Sequence, residues 1–331
     1  MPVCLAARTD ACGSSGEGAK LRVTVRESPW LREIRGLDPE RDCRRIVFLD
    51  TFYEFPFDTT RALELAFFKT FASPSIAELL DSTGEFTLRG QKRYDDTDLL
   101  ISALSEDGWD GDVGKRALRR MNQIHGRFEI ENADYLYVLS AMVLEPMRWN
   151  ERFGWRRWIA AERLAQFHFW YQVGSRMAIK EIPESLEELE RFNVEYERAR
   201  FMPTDAGRRL AHAQRDVFLA WLPWLPKRVG ARAISSLLEA HVVDALGLVQ
   251  PTGSERRAAG RALRLRARTL RHFPPRRRPH LRTTMRRRSY PEGYVIEELG
   301  PRADELYAAL HDGTIKRSTD GGASWTVRSR P

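Results

Sequence analysis

The sequence predicts an all-α fold, a single helical domain running from residue 25 to about residue 300. Three observations predict it. Apolar residues recur at the three-to-four spacing that lines one helix face. Several of these runs open on side chains able to cap a helix. No convincing period-2 strand precedes residue 300.

Residues 1–24 combine a Gly/Ser-rich composition with neither a basic start nor a real apolar segment, so they are expected to form a disordered lead-in rather than a signal peptide. Cys4, Cys12 and Cys43 are the three cysteines, and their odd number argues against a disulfide framework or a zinc site. In "RGQKRYDDTDLLISAL", Asp95, Asp96 and Thr97 are placed at a helix start, with Leu100, Ile101 and Leu104 as its apolar face. The next helix carries Lys115, Arg116, Arg119 and Arg120 on one side. Ala117, Leu118, Met121 and His125 share the other, and Gly126 closes it.

Residues 134–145 are apolar all round, which predicts a central, fully packed helix; Asp134 can cap its start and Pro146 should end or kink it. Phe167, Trp170, Gly174 and Met177 mark another stripe. Ser185 and Glu188 have capping-box spacing before Leu186, Leu189, Phe192 and Tyr196. Asp205 is a candidate cap before Leu210, Ala213, Val217 and Trp221. Residues 301–331 predict a short C-terminal β-hairpin tail. Within it, Ser318 to Trp325 matches the Asp-box turn of sialidase-like propellers over one repeat only, too little to bury a propeller sheet.

Composition bounds the function. A chain of 331 residues, 42% hydrophobic and 30% charged, is ordinary for a soluble protein. Nine Trp and sixteen Phe suit a large core or a pocket for a flat or greasy ligand. The longest apolar run, "YLYVLSAMVL", is far short of a membrane span, so a cytoplasmic protein is expected. HExxH, paired Glu-x-x-His, Cys-x-x-Cys-His, the P-loop and GxGxxG are all missing, which removes most familiar metal and nucleotide chemistries.

Two groups of residues remain. His125 reads either as a partly buried histidine tied to a backbone carbonyl or as a metal or cofactor ligand. Asp96 and Thr97 read either as helix caps or as part of a cavity wall. In the second case Arg93 and Thr97, one turn apart, offer a cation and a hydroxyl to a propionate or a polarised dioxygen. His168 is a second inward candidate for a distal group, with a satisfied core histidine as the plainer reading.

The segments "KRYDDTDLL", "RMNQIHGRF", "YLYVLS", "EPMRW" and "RFGWR", in this order, resemble the mpaB/mpaB′ and rubber-oxygenase catalytic domain family from about Phe55 to about Leu299. The resemblance implies an all-α protein that binds haem b non-covalently. His125 of the Arg120-x(4)-His125 motif would be the proximal iron ligand, and Arg93 and Thr97 would match the family's distal Arg-x-x-x-Thr. It further implies an oxygenase that uses dioxygen on a carbon–carbon double bond of an isoprenoid. Asp96 stands where the rubber-cleaving branch has lysine, and an acid cannot do a lysine's electrostatic work there, so rubber is not the expected substrate. On this reading Arg93, Asp96 and Thr97 are the catalytic candidates, and His125, Arg120 and Arg93 hold the cofactor.

Residues 255–288 hold fourteen arginines against Glu255, a local balance of +13 within a total of +8, so the remainder is net acidic. Three readings stand: a helix packed on the domain with a solvated basic face, a membrane-surface helix burying Leu263, Leu270 and Phe273, and a nucleic-acid arm. The last is the weakest, because no stacking or groove-reading motif accompanies the charge. Beside the oxygenase, the sequence admits a non-catalytic haem or lipid carrier of the same fold and, more weakly, a basic helical nucleic-acid-binding protein. The expected partner is an apolar small molecule or prenyl lipid, with peripheral membrane contact through the arginine-rich segment.

Overall fold

In a computed structural model, residues 27–301 and three tail segments, 306–309, 315–318 and 324–329, are described. Short helices α1 (Pro29–Ile34) and α2 (Cys43–Leu49) lead through a π-helical turn, Asp50–Glu54, into α3 (Pro56–Thr70) and α4 (Pro74–Ser82). Then come α5 (Glu85–Asp107), α6 (Asp112–His125), α7 (Asn132–Phe153), α8 (Ala160–Arg176), α9 (Leu186–Arg200) and α10 (Asp205–Ala220). Helices α11 (Lys227–Ser235), α12 (Ala240–Ala245) and α13 (Gly253–Leu270) complete the all-α domain.

Helix α7 is the axis. It packs on α3, α8, α9 and α13, while α5 packs on α6 and α10, and α2 on α8. One apolar core joins α2, α7 and α8 through residues such as Ile46, Met142 and Phe169; another joins α3, α10 and α12 through Phe68, Leu210 and Val242. Pro146 does not end α7, which continues to Phe153. A proline cannot donate to the carbonyl four residues back, and a buried carbonyl left so is costly. That carbonyl, of Met142, is satisfied from α8: Gln166 Nε2 donates to it at 3.0 Å.

Three expected caps shift. Helix α5 starts at Glu85, after Gly84 turns the chain with φ of +67°, and kinks at Arg89, so the stretch carrying Asp95, Asp96 and Thr97 is helical from Gly90 onward, before those residues are reached. These residues are therefore mid-helix, where the backbone N–H groups a cap would serve already have intrahelical partners. Asp134 lies inside the first turn of α7, behind Glu131, and its Oδ1 accepts from the Tyr196 hydroxyl. Thr204 rather than Asp205 caps α10, accepting from Gly207 N at 3.0 Å. Ser185 caps α9, accepting from Glu188 N at 3.2 Å, which is one half of the capping box its spacing predicts.

The arginine-rich segment opens with a capping box, Thr252 and Glu255, and α13 packs on α7 and α11. Several of its arginines are tied to the domain. Arg266 pairs with Asp58 at 3.1 Å, Arg271 Nε donates to the Trp155 carbonyl at 2.5 Å, and Arg282 grips Asp98 at 2.8 and 2.9 Å. After α13 an irregular strap returns along α5. Thr283 N donates to Glu106, Ser289 N to Asp95, and the Tyr290 hydroxyl to Asp96. Where the sequence predicts one hairpin, three short antiparallel strands pair in chain order: β1 (Leu306–Ala309), β2 (Ile315–Ser318) and β3 (Thr326–Ser329). The expected lead-in, Cys4, Cys12 and the Asp-box residues 319–323 lie outside the described residues. Among the described residues no helix is long and apolar enough to cross a membrane.

Candidate cofactor cavity

The helices α3 to α8 and the strap residues Gly300 and Pro301 line a cavity of about 230 Å³ that opens to a mouth. Typical small-molecule sites hold roughly 300–1,000 Å³, so a large ligand would fill this space and extend through the mouth. Its wall is mostly aliphatic and aromatic, from Ile76, Leu100, Ile101, Met121, Val138 and Trp170 among others. Four of the residues singled out in the sequence share that wall: Arg93, Asp96, Thr97 and His125.

His125 is the last residue of α6, and its Nδ1 is enclosed by protein with no hydrogen-bond partner among the described residues. The plain reading, an imidazole tied to a backbone carbonyl through that nitrogen, does not hold. The ring stands edge-on to Tyr135, with 5.7 Å between centroids. Desolvation, with the Arg93 charge as the second cause, pushes its pKa down to about 4. The imidazole is therefore neutral at pH 7, the form whose nitrogen lone pair is free to bind a metal.

Arg93 faces it from α5. The guanidinium is surrounded by protein, and the surface it keeps is cavity wall. Its Nη1 donates to Thr97 Oγ1, Thr97 Oγ1 donates on to the Arg93 carbonyl at 3.0 Å, and the guanidinium lies 5.1 Å over the Phe86 ring. No carboxylate among the described residues pairs with it, and burial lowers its pKa from the usual arginine value. A buried cation held only by a hydroxyl and an aromatic face is a standing attraction for an anion.

Asp96 is buried but not free. Lys92 Nζ sits 2.8 Å from its Oδ2 and the Tyr290 hydroxyl donates to its Oδ1. The same ammonium donates to the Gly300 carbonyl at 3.1 Å, so Lys92 and Asp96 together hold the strap over the cavity. Arg120 works on the same strap: Nε donates to the Leu299 carbonyl at 2.7 Å and Nη2 to that of Pro301 at 3.3 Å. The structure thus turns Arg120 away from the cavity wall, and its contribution there is through Leu299 and Pro301. His168 is not brought to the cavity either; it packs beside Phe167, with 5.3 Å between ring centroids.

The sequence reading missed Lys92, Tyr290 and Gly300. Lys92 had a local signal, its i, i+4 spacing to Asp96. Tyr290 lies 194 residues from its partner, and no local pattern announces such a contact.

Comparisons with known proteins point to one family. The chain is 27% identical over 240 residues, 67% of its own length, to the ER-bound oxygenase mpaB′ of Penicillium brevicompactum. It is 28% identical over 215 residues, 60% of its length and 72% of the relative, to the ER-bound oxygenase mpaB of Penicillium roqueforti (strain FM164). A third match, to mpaB of Penicillium brevicompactum, is 29% identical over half of this chain. The chain spans 57% of mpaB′ and 47% of that third relative. The family profile itself, described as "ER-bound oxygenase mpaB/B'/Rubber oxygenase, catalytic domain", matches residues 65–272, a stretch that takes in Arg93, Thr97, Arg120 and His125, and the chain belongs to this family.

Proposed function

We propose that this chain is a haem b-dependent oxygenase that uses dioxygen on an apolar, isoprenoid alkene. The observation that carries the reading is the enclosed, unpartnered Nδ1 of His125 on the wall of an apolar cavity that also holds Arg93 and Thr97. The residues fit the group. A single imidazole is what an iron already held by a macrocycle asks of a protein, and a buried cation without a carboxylate suits a propionate or another anionic oxygen. The aliphatic wall suits the flat apolar ring.

His125 would hold the iron and Arg93 would neutralise a negative oxygen, while Thr97, accepting from Arg93 Nη1, fixes the guanidinium on the wall. When bound, the cofactor supplies the oxygen chemistry. The protein's own work is to orient the alkene against the wall, keep Arg93 charged and exclude water. Lys92, Asp96, Tyr290 and Arg120 serve by fixing the strap that closes the cavity.

The test is reconstitution with haem and a visible spectrum of wild type beside His125→Ala. A Soret band in wild type that the variant lacks supports the reading; an unchanged spectrum in the variant removes His125 as ligand. A carrier of the same fold would give the band and consume no oxygen with a prenyl substrate.

Peripheral attachment to an anionic membrane through residues 255–288 belongs to the same reading. Of the three side chains the sequence assigns to lipid, Leu263 packs on the α3–α10–α12 core and Leu270 is half-buried, so the support is Phe273 with Leu265, 64% and 63% accessible, beside the exposed Arg257, Arg261, Arg264 and Arg268. A nucleic-acid surface would not ask for exposed aliphatic side chains.

A further inference from the structure

The turn from α10 to α11, "WLPWLP", presents its side chains in two directions. Trp221 and Leu225 turn inward. Trp221 Nε1 donates to Gln91 Oε1 of α5 at 2.7 Å, and Leu225 packs with Leu219 against Gly230, where a Cβ would stand 3.2 Å from Leu225 and 2.4 Å from Leu219. Leu222 N donates to the Leu219 carbonyl at 3.1 Å and Leu225 N to the Leu222 carbonyl at 2.9 Å. Pro223 and Pro226 stiffen the turn further, since each fixes its own φ. What this frame holds outward is apolar: Trp224 is 75% exposed, and Leu222 and Val229 are exposed with it. An apolar patch held in water and rimmed by charge marks a surface that something covers.

The rim is a groove of about 610 Å³ between α10, α11 and the segment after α12. Arg215, Lys227, Arg228 and Arg232 line it against one carboxylate, Asp216, and the exposed Val249 belongs to its apolar wall. Two of these cations are engaged, Arg215 with Asp216 at 2.8 Å and Arg232 with Glu255 at 2.9 Å. Lys227 and Arg228 are exposed and have no carboxylate partner among the described residues.

We propose that this groove seats the phosphate of an anionic phospholipid between Lys227 and Arg228, and that Trp224 and Leu222 enter the bilayer beside it. The site has its own residues and does not rest on the α13 surface. Its chemistry selects the occupant. An indole, apolar on its faces with one N–H at its edge, suits the level of lipid headgroups, where lysine and arginine meet phosphate. A second copy of this chain on a twofold axis would set the same cationic patch against itself. Nucleic acid would satisfy the cations and leave Leu222, Val229 and Val249 without gain. A free phosphate would leave Trp224 in water.

The test mixes the full chain with vesicles of phosphatidylserine and phosphatidylcholine whose acyl chains carry bromine, a contact quencher of indole emission. Wild type is expected to lose emission to the brominated vesicles relative to plain ones, and Trp224→Phe to lose little. Sedimentation with plain vesicles should show Lys227→Gln with Arg228→Gln binding about tenfold or more weakly, at roughly fivefold per charge. Wild type should bind pure phosphatidylcholine about tenfold or more weakly as well. Wild-type emission untouched by bromine, equal quenching in Trp224→Phe, or affinity unchanged by the double charge substitution would each overturn the proposal. The substituted side chains are all exposed, and circular dichroism verifies the fold of each variant. Leu265→Ser with Phe273→Ser separates the two surfaces. Trp224 quenched in that variant supports the turn whatever α13 contributes. Wild type that sediments with Trp224 unquenched leaves α13 as the contact and overturns the turn.

Discussion

Arg93 donates to the hydroxyl of Thr97, one turn along α5, and that hydroxyl donates back to the Arg93 carbonyl. The pair closes on itself and leaves the guanidinium charge without a carboxylate. Asp96 and Glu85 favour the charge only from a distance, and desolvation outweighs them, so the protein alone carries part of the cost of a shielded cation. Arg93→Met, of similar length and no charge, should stabilise the cofactor-free protein by about 1–2 kcal/mol in urea unfolding. The same change should weaken haem retention at least tenfold in competition with apomyoglobin. A loss of stability instead would show that Arg93 is a structural residue.

Glu64 gives a stability slope with pH. Its pKa, about 7 in the fold, lies above the ordinary 4.5 because burial outweighs Arg61 and Tyr94. Between those values the native state holds a proton that the unfolded chain releases, so stability is full below 4.5 and falls as the pH rises through 7. Arg282 and Asp98 also act on the group, in opposite senses. Glu64→Gln should remove the slope. Denaturant unfolding at pH 5 and pH 8 should show the variant gaining about 2–3 kcal/mol on wild type across that interval. A gap that does not change with pH would mean that Glu64 is ionised in both states.

Pro146 and Gln166 form a compensating pair across α7 and α8. Gln166→Leu leaves the Met142 carbonyl buried without a donor and should cost about 1–3 kcal/mol. Pro146→Ala restores a backbone N–H for that carbonyl. The double variant should therefore recover much of the loss, and a double-mutant cycle measures how much. Strict additivity would contradict the pairing.

Arg156 lies between Glu54 at 2.8 Å, Glu162 at 2.6 Å and Asp50 at 3.7 Å, all of them buried. Arg156→Met would leave three carboxyl groups crowded around an apolar side chain. The expected cost is about 3–5 kcal/mol at neutral pH, read from the unfolding midpoint. Burial, and after it the neighbouring Glu162, holds the pKa of Asp50 well above the usual carboxylate range. Part of the cost should therefore disappear at pH 5.

The exposed Leu265 and Phe273 set the membrane prediction. Sedimentation with phosphatidylserine vesicles at low salt should pull down wild type, and Leu265→Ser with Phe273→Ser should reduce the bound fraction several-fold. Binding that is lost with added salt but unaffected by the double change would reduce the interaction to charge alone.

Helix identity was legible in the sequence because periodicity and caps are local. Ser185 with its serial apolar partners, and the all-apolar run now inside α7, needed no distant information. His125 was legible for the same reason, since its face is set by Ala117, Leu118 and Met121 on one helix. The start of α5 was not. Asp95, Asp96 and Thr97 look like caps, but the helix had already begun at Glu85, and the three serve partners from residues 289, 290 and 93 instead. Arg120 was misjudged on the same ground, because its acceptors lie 179 and 181 residues away. Glu64 left a trace that was not used: an acid in the apolar run "LELAFF" signals a charge that the fold must pay to bury.

The strap has a consequence for the order of assembly. A chain leaves the ribosome with its N-terminal part first, and domains fold as their residues become available. The helices bearing Arg93 and His125 are made long before Tyr290, Leu299 and Gly300, which seal them. The cavity is thus open through most of synthesis and is shut by almost the last segment of the helical domain. A ligand too large for the finished mouth has its widest path during that interval, so the timing of translation itself becomes a gate.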